Sequence, residues 1–132
     1  MDVRRSMSEF RAALRGKTRH DSDTEIDLVV EMILTHVAGN LSWYAAQDLV
    51  PRLPPTLGRV VHMASFGSSM TRFAPAVMVA RIAERQGLSP ERIRDQVKAV
   101  LGVLSRSLPP SLWKKIEDDL PSLMRLLRVS VA

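Results

Sequence analysis

Apolar residues recur at spacings of three and four in a series of short stretches, each closed by proline, glycine or a capping residue. Met7, Phe10, Ala13 and Leu14 predict a first helix over Arg5 to Arg15, stopped by Gly16. A polar loop from Lys17 to Asp23 follows. Ser22-Asp23-Thr24-Glu25 has capping-box spacing and opens a second helix, whose face is Ile26, Val30, Ile33, Leu34 and Val37 and whose stop is Gly39-Asn40. Ser42 caps a third helix, Trp43 to Val50, closed by Pro51. Pro54 and Pro55 start a fourth, with Leu57, Val60, Val61 and Ala64 on its apolar side and the helix-weakening Gly58 within it. Ser65 to Thr71 reads as a tight linker. Helices then run from Phe73 to Gln86, stopped by Gly87; from Ser89-Pro90-Glu91 to about Ser105, through Ile93, Val97, Val100, Leu101 and Leu104; through Leu112, Trp113 and Ile116 after Leu108-Pro109-Pro110; and through Leu123, Met124, Leu127 and Val129 after Leu120-Pro121.

The pattern repeats. An offset of 67, which carries Leu53 onto Leu120, also carries Ser22 onto Ser89, Ile26 onto Ile93, Val30 onto Val97, Leu34 onto Leu101, Leu41 onto Leu108 and Pro54 onto Pro121. The matches fall on caps, core positions and corners and vanish on charged positions. Such a pattern predicts an all-α fold of about eight short helices in two quasi-repeated units, residues 1–64 and 72–132, joined at 65–71. A unit of this size buries little surface alone, so the two are expected to share one core.

Leu41 to Leu57, with Ala45, Asp48-Leu49 and Leu53-Pro54, resembles the family called domain of unknown function 2267. So do Leu108-Pro109-Pro110 through Leu120-Pro121 to Arg125, and Phe73 to Gly87, which continues to Glu91 as RIAERQGLSPE. The resemblance covers most of residues 22–128. It implies a small, bacterial, all-helical protein with no assigned activity, and it supplies no catalytic residues. The chain departs from it between Val60 and Phe66, where family members tend to show an aromatic cluster.

Composition narrows the function classes. Aromatics are 5% of the chain, so the core must be aliphatic, and there is no cysteine, which excludes a disulfide framework, a thiol nucleophile and cysteine-bound metal. No apolar run is long enough to span a membrane and the N-terminus lacks a secretory apolar core, so a cytoplasmic protein is expected. The net charge of +5 is unevenly spread. Arg4, Arg5, Arg11, Arg15, Lys17 and Arg19 face only Asp2 and Glu9 in the first twenty residues, whereas residues 21–50 hold Asp21, Asp23, Glu25, Asp27, Glu31 and Asp48 with no lysine or arginine. Those six basic residues are candidate contacts for an anionic ligand; their opposite-signed neighbours favour pairing of the first helix on the second.

Chemistry is sparse. His20, His36 and His62 stand in no metal-ligand spacing; His36, near a helix end, reads as a terminus or surface residue. Ser68-Ser69 reads as a turn, and no phosphate-binding glycine pattern exists. Glu117-Asp118-Asp119 ends a helix, where negative charge opposes the dipole; Lys114, Lys115 or another helix start would relieve it, and the run reads as a paired surface in preference to a cation or acid/base site. Trp43, Tyr44 and Trp113 read as core or interface anchors, with base stacking as the competing role. The last helix, with Arg125 and Arg128 opposite its apolar face, reads as core in preference to a membrane-surface helix. The expectation is therefore a non-enzymatic module without cofactor or metal that binds protein, a partner or itself. The alternative is nucleic-acid or anionic-surface binding through the basic first helix and basic second unit.

Overall fold

The computed structural model describes residues 7–66 and 74–131, with side chains through Arg128. Within them lie eight helices and no strand: α1 (Met7–Leu14), α2 (Asp23–Asn40), α3 (Trp43–Leu49), α4 (Pro55–Ser65), α5 (Pro75–Gln86), α6 (Pro90–Ser107), α7 (Pro110–Asp119) and α8 (Pro121–Val131). A 3-10 turn, Val50–Arg52, joins α3 to the first corner. No described helix is long and apolar enough to cross a membrane. Of the sequence expectations, Arg4, Arg5, linker residues Gly67 to Thr71, Phe73 and the side chain of Val129 lie outside the described residues.

Local chemistry sets the helix ends. The hydroxyls of Ser22, Ser42 and Ser89 accept from the backbone N–H of Glu25, Ala45 and Arg92 at 3.2, 3.3 and 3.3 Å, each satisfying an otherwise orphaned first-turn donor. Pro55, Pro75, Pro90, Pro110 and Pro121 each open a helix, where their missing donor costs nothing. Gly87 closes α5 in the left-handed conformation, φ 65°. Gly39-Asn40 does not close α2 in that way. The helix continues through Asn40 and ends because Leu41 is extended, φ −84°, ψ 155°. Leu108 ends α6 in the same conformation, φ −91°, ψ 153°. Both leucines are buried, so each break lets an apolar side chain enter the core while the chain turns toward the next helix.

The core is aliphatic. Ile26, Val30, Leu34, Leu41, Leu53, Ile93, Val97, Leu101, Leu108 and Leu120 are all buried in one cluster; Pro54 is buried and Pro121 exposed. The halves interleave. α1 lies chiefly on α6, and α5 packs on both α6 and α2. Beneath the loop after α1, Gln86 and Gln96 form a reciprocal amide pair at 3.1 and 3.0 Å. Gln96 Nε2 also donates to the carbonyl of Lys17 at 2.6 Å, and Gln86 Oε1 accepts from the backbone N–H of Arg19 at 3.3 Å. Both glutamines are buried, so these bonds fix the loop to α5 and α6 in one register.

Element bounds recur at the offset of 67: α2 and α6 each hold 18 residues, and α3 and α7 begin 67 residues apart. Packing at the two corners differs. α4 lies along α2, whereas α8 divides its contacts among α5, α6 and α7.

Candidate functional site

α3 and α4 form an antiparallel hairpin whose register is fixed at two levels. At the corner end, Gly58 lies against the Val50 carbonyl oxygen: a Cβ there would stand 2.9 Å from it. One turn away, Gln47 Nε2 donates to Ser65 Oγ at 2.8 Å and Gln47 Oε1 meets His62 Nδ1 at 3.1 Å. A carbonyl oxygen only accepts, so Nδ1 carries the hydrogen of that imidazole. Ser65 Oγ donates its proton to the His62 carbonyl at 2.6 Å, leaving no serine–imidazole dyad between them. By the same register, the next turn of α3, with Trp43 and Tyr44, falls toward the end of α4 that carries Met63 and Phe66.

That end is apolar and open. Trp43 is 52%, Tyr44 76%, Met63 68% and Phe66 66% exposed. Two edge-to-face pairs hold the rings: Trp43 on Tyr44 with centroids 5.4 Å apart, and His62 on Phe66 at 4.9 Å. Trp43 and Tyr44 are thus surface residues and not core, whereas Trp113 is half-buried against the core. Sequence reasoning missed Met63 and placed Phe66 in a linker. The signal was present: both fall off the stripe of Leu57, Val61 and Ala64 that α4 buries. At the corner end, Asp48, Arg52 and Arg59 are exposed.

The basic residues of the first helix are placed differently. Arg11 Nε and Nη2 donate to the two carboxylate oxygens of Asp27 at 2.9 and 2.7 Å, and its Nη1 lies 3.7 Å from Asp23. The Asp27 hydrogen bonds raise the Arg11 pKa further, against the opposing effect of burial. Arg15 Nη2 meets Asp23 at 3.0 Å, and its other terminal nitrogen bonds the Asp21 carbonyl. The helix therefore lies on the acidic start of α2. Lys17 and Arg19 have exposed side chains, and Arg19 reaches over Gly87.

Asp119 Oδ2 accepts from the Ser42 backbone N–H at 3.0 Å, so the carboxylate that ends α7 meets the positive start of α3. Lys114 lies 4.0 Å from Asp118. His36, read as a surface or helix-terminus residue, does stand one turn from the end of α2 but is only 1% exposed. It lines a cavity of about 330 Å³ with Asn40, Pro75, Asp119 and Leu120. Burial pushes its pKa down to about 4, because its charged form loses hydration there. Among the described residues, no three His, Cys, Asp or Glu side chains group as metal ligands would.

These features define a proline-cornered all-helical protein with an aliphatic core and exposed aromatic side chains on the α3–α4 hairpin. The chain belongs to a family described as uncharacterized conserved protein (DUF2267), whose model matches residues 7–127. No curated protein and no solved structure matches it.

Proposed function

We infer that the protein is a non-enzymatic helical module that works by binding another protein chain through the α3–α4 hairpin. The observation that carries this reading is the exposure of Trp43, Tyr44, Met63 and Phe66 together at one end of that hairpin. Aromatic and methionine side chains are enriched at protein interfaces, and grouped exposure of them marks contact surfaces. Gln47, bonded to His62 and Ser65, holds the two helices in register, which limits the ordering that binding requires. Affinity capture with the intact protein and with a Tyr44→Lys/Phe66→Lys variant tests the reading. The partners held by the intact protein are expected to be lost from the variant. Unchanged capture would sink the reading.

The alternative is an anionic ligand, nucleic acid or membrane surface. It is favoured by ten basic against six acidic residues over positions 74–131, which puts the chain's positive excess largely in α5–α8. Binding to duplex DNA or anionic vesicles at low salt that declines steeply as salt rises would support it. The two-unit organisation belongs to the same proposal: recurring helix bounds support a duplicated scaffold, and superposing 22–54 on 89–121 is its test. A bacterial, cytoplasmic setting is proposed on the family resemblance and the cysteine-free composition.

A further inference from the structure

We propose that the loop between α1 and α2, together with the α5–α6 turn it lies on, is a site for the phosphates of a nucleic-acid duplex. The proposal rests on the anionic alternative above, gives it a place in the fold, and is independent of the α3–α4 hairpin. The cations of the site are Lys17, Arg19, Arg85 and Arg92, all exposed.

Position sets them apart first. Thr18 is buried, so the loop turns Lys17 and Arg19 outward on either side of it. The buried amides hold the backbone of both: Gln96 Nε2 donates to the Lys17 carbonyl, and the Arg19 N–H donates to Gln86 Oε1. The Arg19 guanidinium then lies across the turn, its Nη1 3.5 Å from where a Cβ on Gly87 would stand. Arg92 is one helical turn before Gln96 and shares the side of α6 that meets the loop. Arg85 stands about a quarter-turn from Gln86. Acids of the same helices fall mostly elsewhere. At about 100° per residue, Glu84 lies on the far side of α5 from Gln86, Glu91 on the far side of α6 from Gln96, and Asp95 between. Asp21 is engaged within the loop, where its carboxylate accepts from the Gly16 N–H at 2.8 Å.

Pairing sets them apart again. Arg11 and Arg15 are neutralised by Asp27 and Asp23, at 2.7 and 3.0 Å. Among the described residues, no carboxylate stands within ion-pair distance of Lys17, Arg19, Arg85 or Arg92. Cations without counter-ions, two of them on a loop the fold has already ordered, attract anions, and a guanidinium fork matches phosphate oxygens. Three of the four are arginines, and they come from three segments, so they address several anionic groups and not one. The large exposed apolar side chains among the described residues are Trp43, Tyr44, Met63, Phe66 and Val77. The first four belong to the α3–α4 hairpin, and Val77 is at the other end of α5 from Gln86. The site therefore offers nothing to insert into lipid and no ring to stack on an unpaired base, which favours duplex phosphates over a membrane surface or a single strand.

Fluorescence anisotropy of a short labelled duplex DNA, titrated with the full chain over a series of salt concentrations, tests the proposal. Wild-type affinity is expected to fall linearly with salt on logarithmic axes. Arg19→Gln/Arg92→Gln is expected to weaken low-salt binding about tenfold or more and to flatten the slope by about two, since each phosphate contact contributes roughly 0.9. Arg125→Gln/Arg128→Gln, which removes equal charge from exposed positions on α8, is expected to keep the wild-type slope. Circular dichroism checks that each variant folds; should the first not, Lys17→Gln and Arg85→Gln singly are each expected to flatten the slope by about one. Duplex binding that both double variants weaken equally overturns the site and keeps the anionic reading. Vesicles of anionic phospholipid bound at low salt where the duplex is not would overturn the duplex as ligand and keep an anionic surface. Failure of both probes at low salt overturns the site and the anionic reading together.

Discussion

His36 is an imidazole kept neutral by its surroundings. It sits on α2 one turn before the helix ends, and Pro75 and the corner at Leu120 complete the cavity around it. Its backbone carbonyl accepts from Asn40 Nδ2 at 2.8 Å, and Asp119 lines the same cavity with one carboxylate oxygen bonded to Ser42. The folded-state pKa lies near 4 against an ordinary 6.5. Below 6.5 the unfolded chain takes up a proton that the folded chain refuses. The stability this neutral histidine preserves is therefore complete above pH 6.5 and is lost as pH falls toward 4. At 1.36 kcal/mol per pKa unit, the loss reaches roughly 3 kcal/mol. Urea unfolding of wild type and His36→Asn across this range checks it. The difference in stability between the two proteins is expected to shrink steadily from pH 7 to pH 4, and a constant difference would contradict the assignment. The sequence pattern could not place this residue, because the elements that cover it come from the other half of the chain.

At the scale of the element, the two proline corners differ in packing mode, and two paired positions differ with them. Pro51 converts the end of α3 into a 3-10 turn, and the Val50 carbonyl then meets α4 at Gly58. Glycine permits the approach because it has no Cβ. The positions 67 residues on are Asp118 and Arg125. There α7 runs on as α-helix to Asp119, and Arg125, Arg128, Met124, Glu117 and Asp118 line an open groove between α7 and α8. α4 closes on its corner, whereas α8 stands off. Helix propensity alone predicts that Gly58→Ala stabilises by about 1 kcal/mol. The structure reverses the sign: the added carbon meets backbone, which cannot rotate away, and the helix must shift. A net loss of about 1–2 kcal/mol is expected, as for other overpacked sites, measured as a lower urea midpoint. A stabilised variant would mean that α4 moves freely over the corner.

For the whole molecule, the governing feature is that each half packs against the other. α1 belongs by sequence to the first half and lies chiefly on α6 of the second; α5 reaches back to α2. The buried Gln86–Gln96 pair bonds the loop between α1 and α2, and Asp119 bonds the start of α3. Neither half can lose its fold without exposing the apolar face of the other. Leu53 and Leu120, 1% and 3% exposed, lie in one continuous core. Leu53→Asp and Leu120→Asp are each expected to cost several kcal/mol, since each puts an unpaired charge among aliphatic side chains. Both variants are expected to melt in one transition monitored by calorimetry and circular dichroism. Two resolved transitions in either would show that the halves unfold separately.

The sequence by itself determined the helices, their serine caps and proline starts, the aliphatic core positions and the pairing of a basic first helix with an acidic second one. All of these depend on neighbours three or four residues away, or on adjacent segments of opposite charge. Tertiary structure alone decided that His36 is dry, that Gly58 is required by a carbonyl from another element, that α2 ends on an extended Leu41, and that Trp43, Tyr44, Met63 and Phe66 share one open end of a hairpin. Each depends on which surfaces remain uncovered once distant segments have packed, and hydrophobic periodicity, which marks a face as apolar, does not say what lies against it.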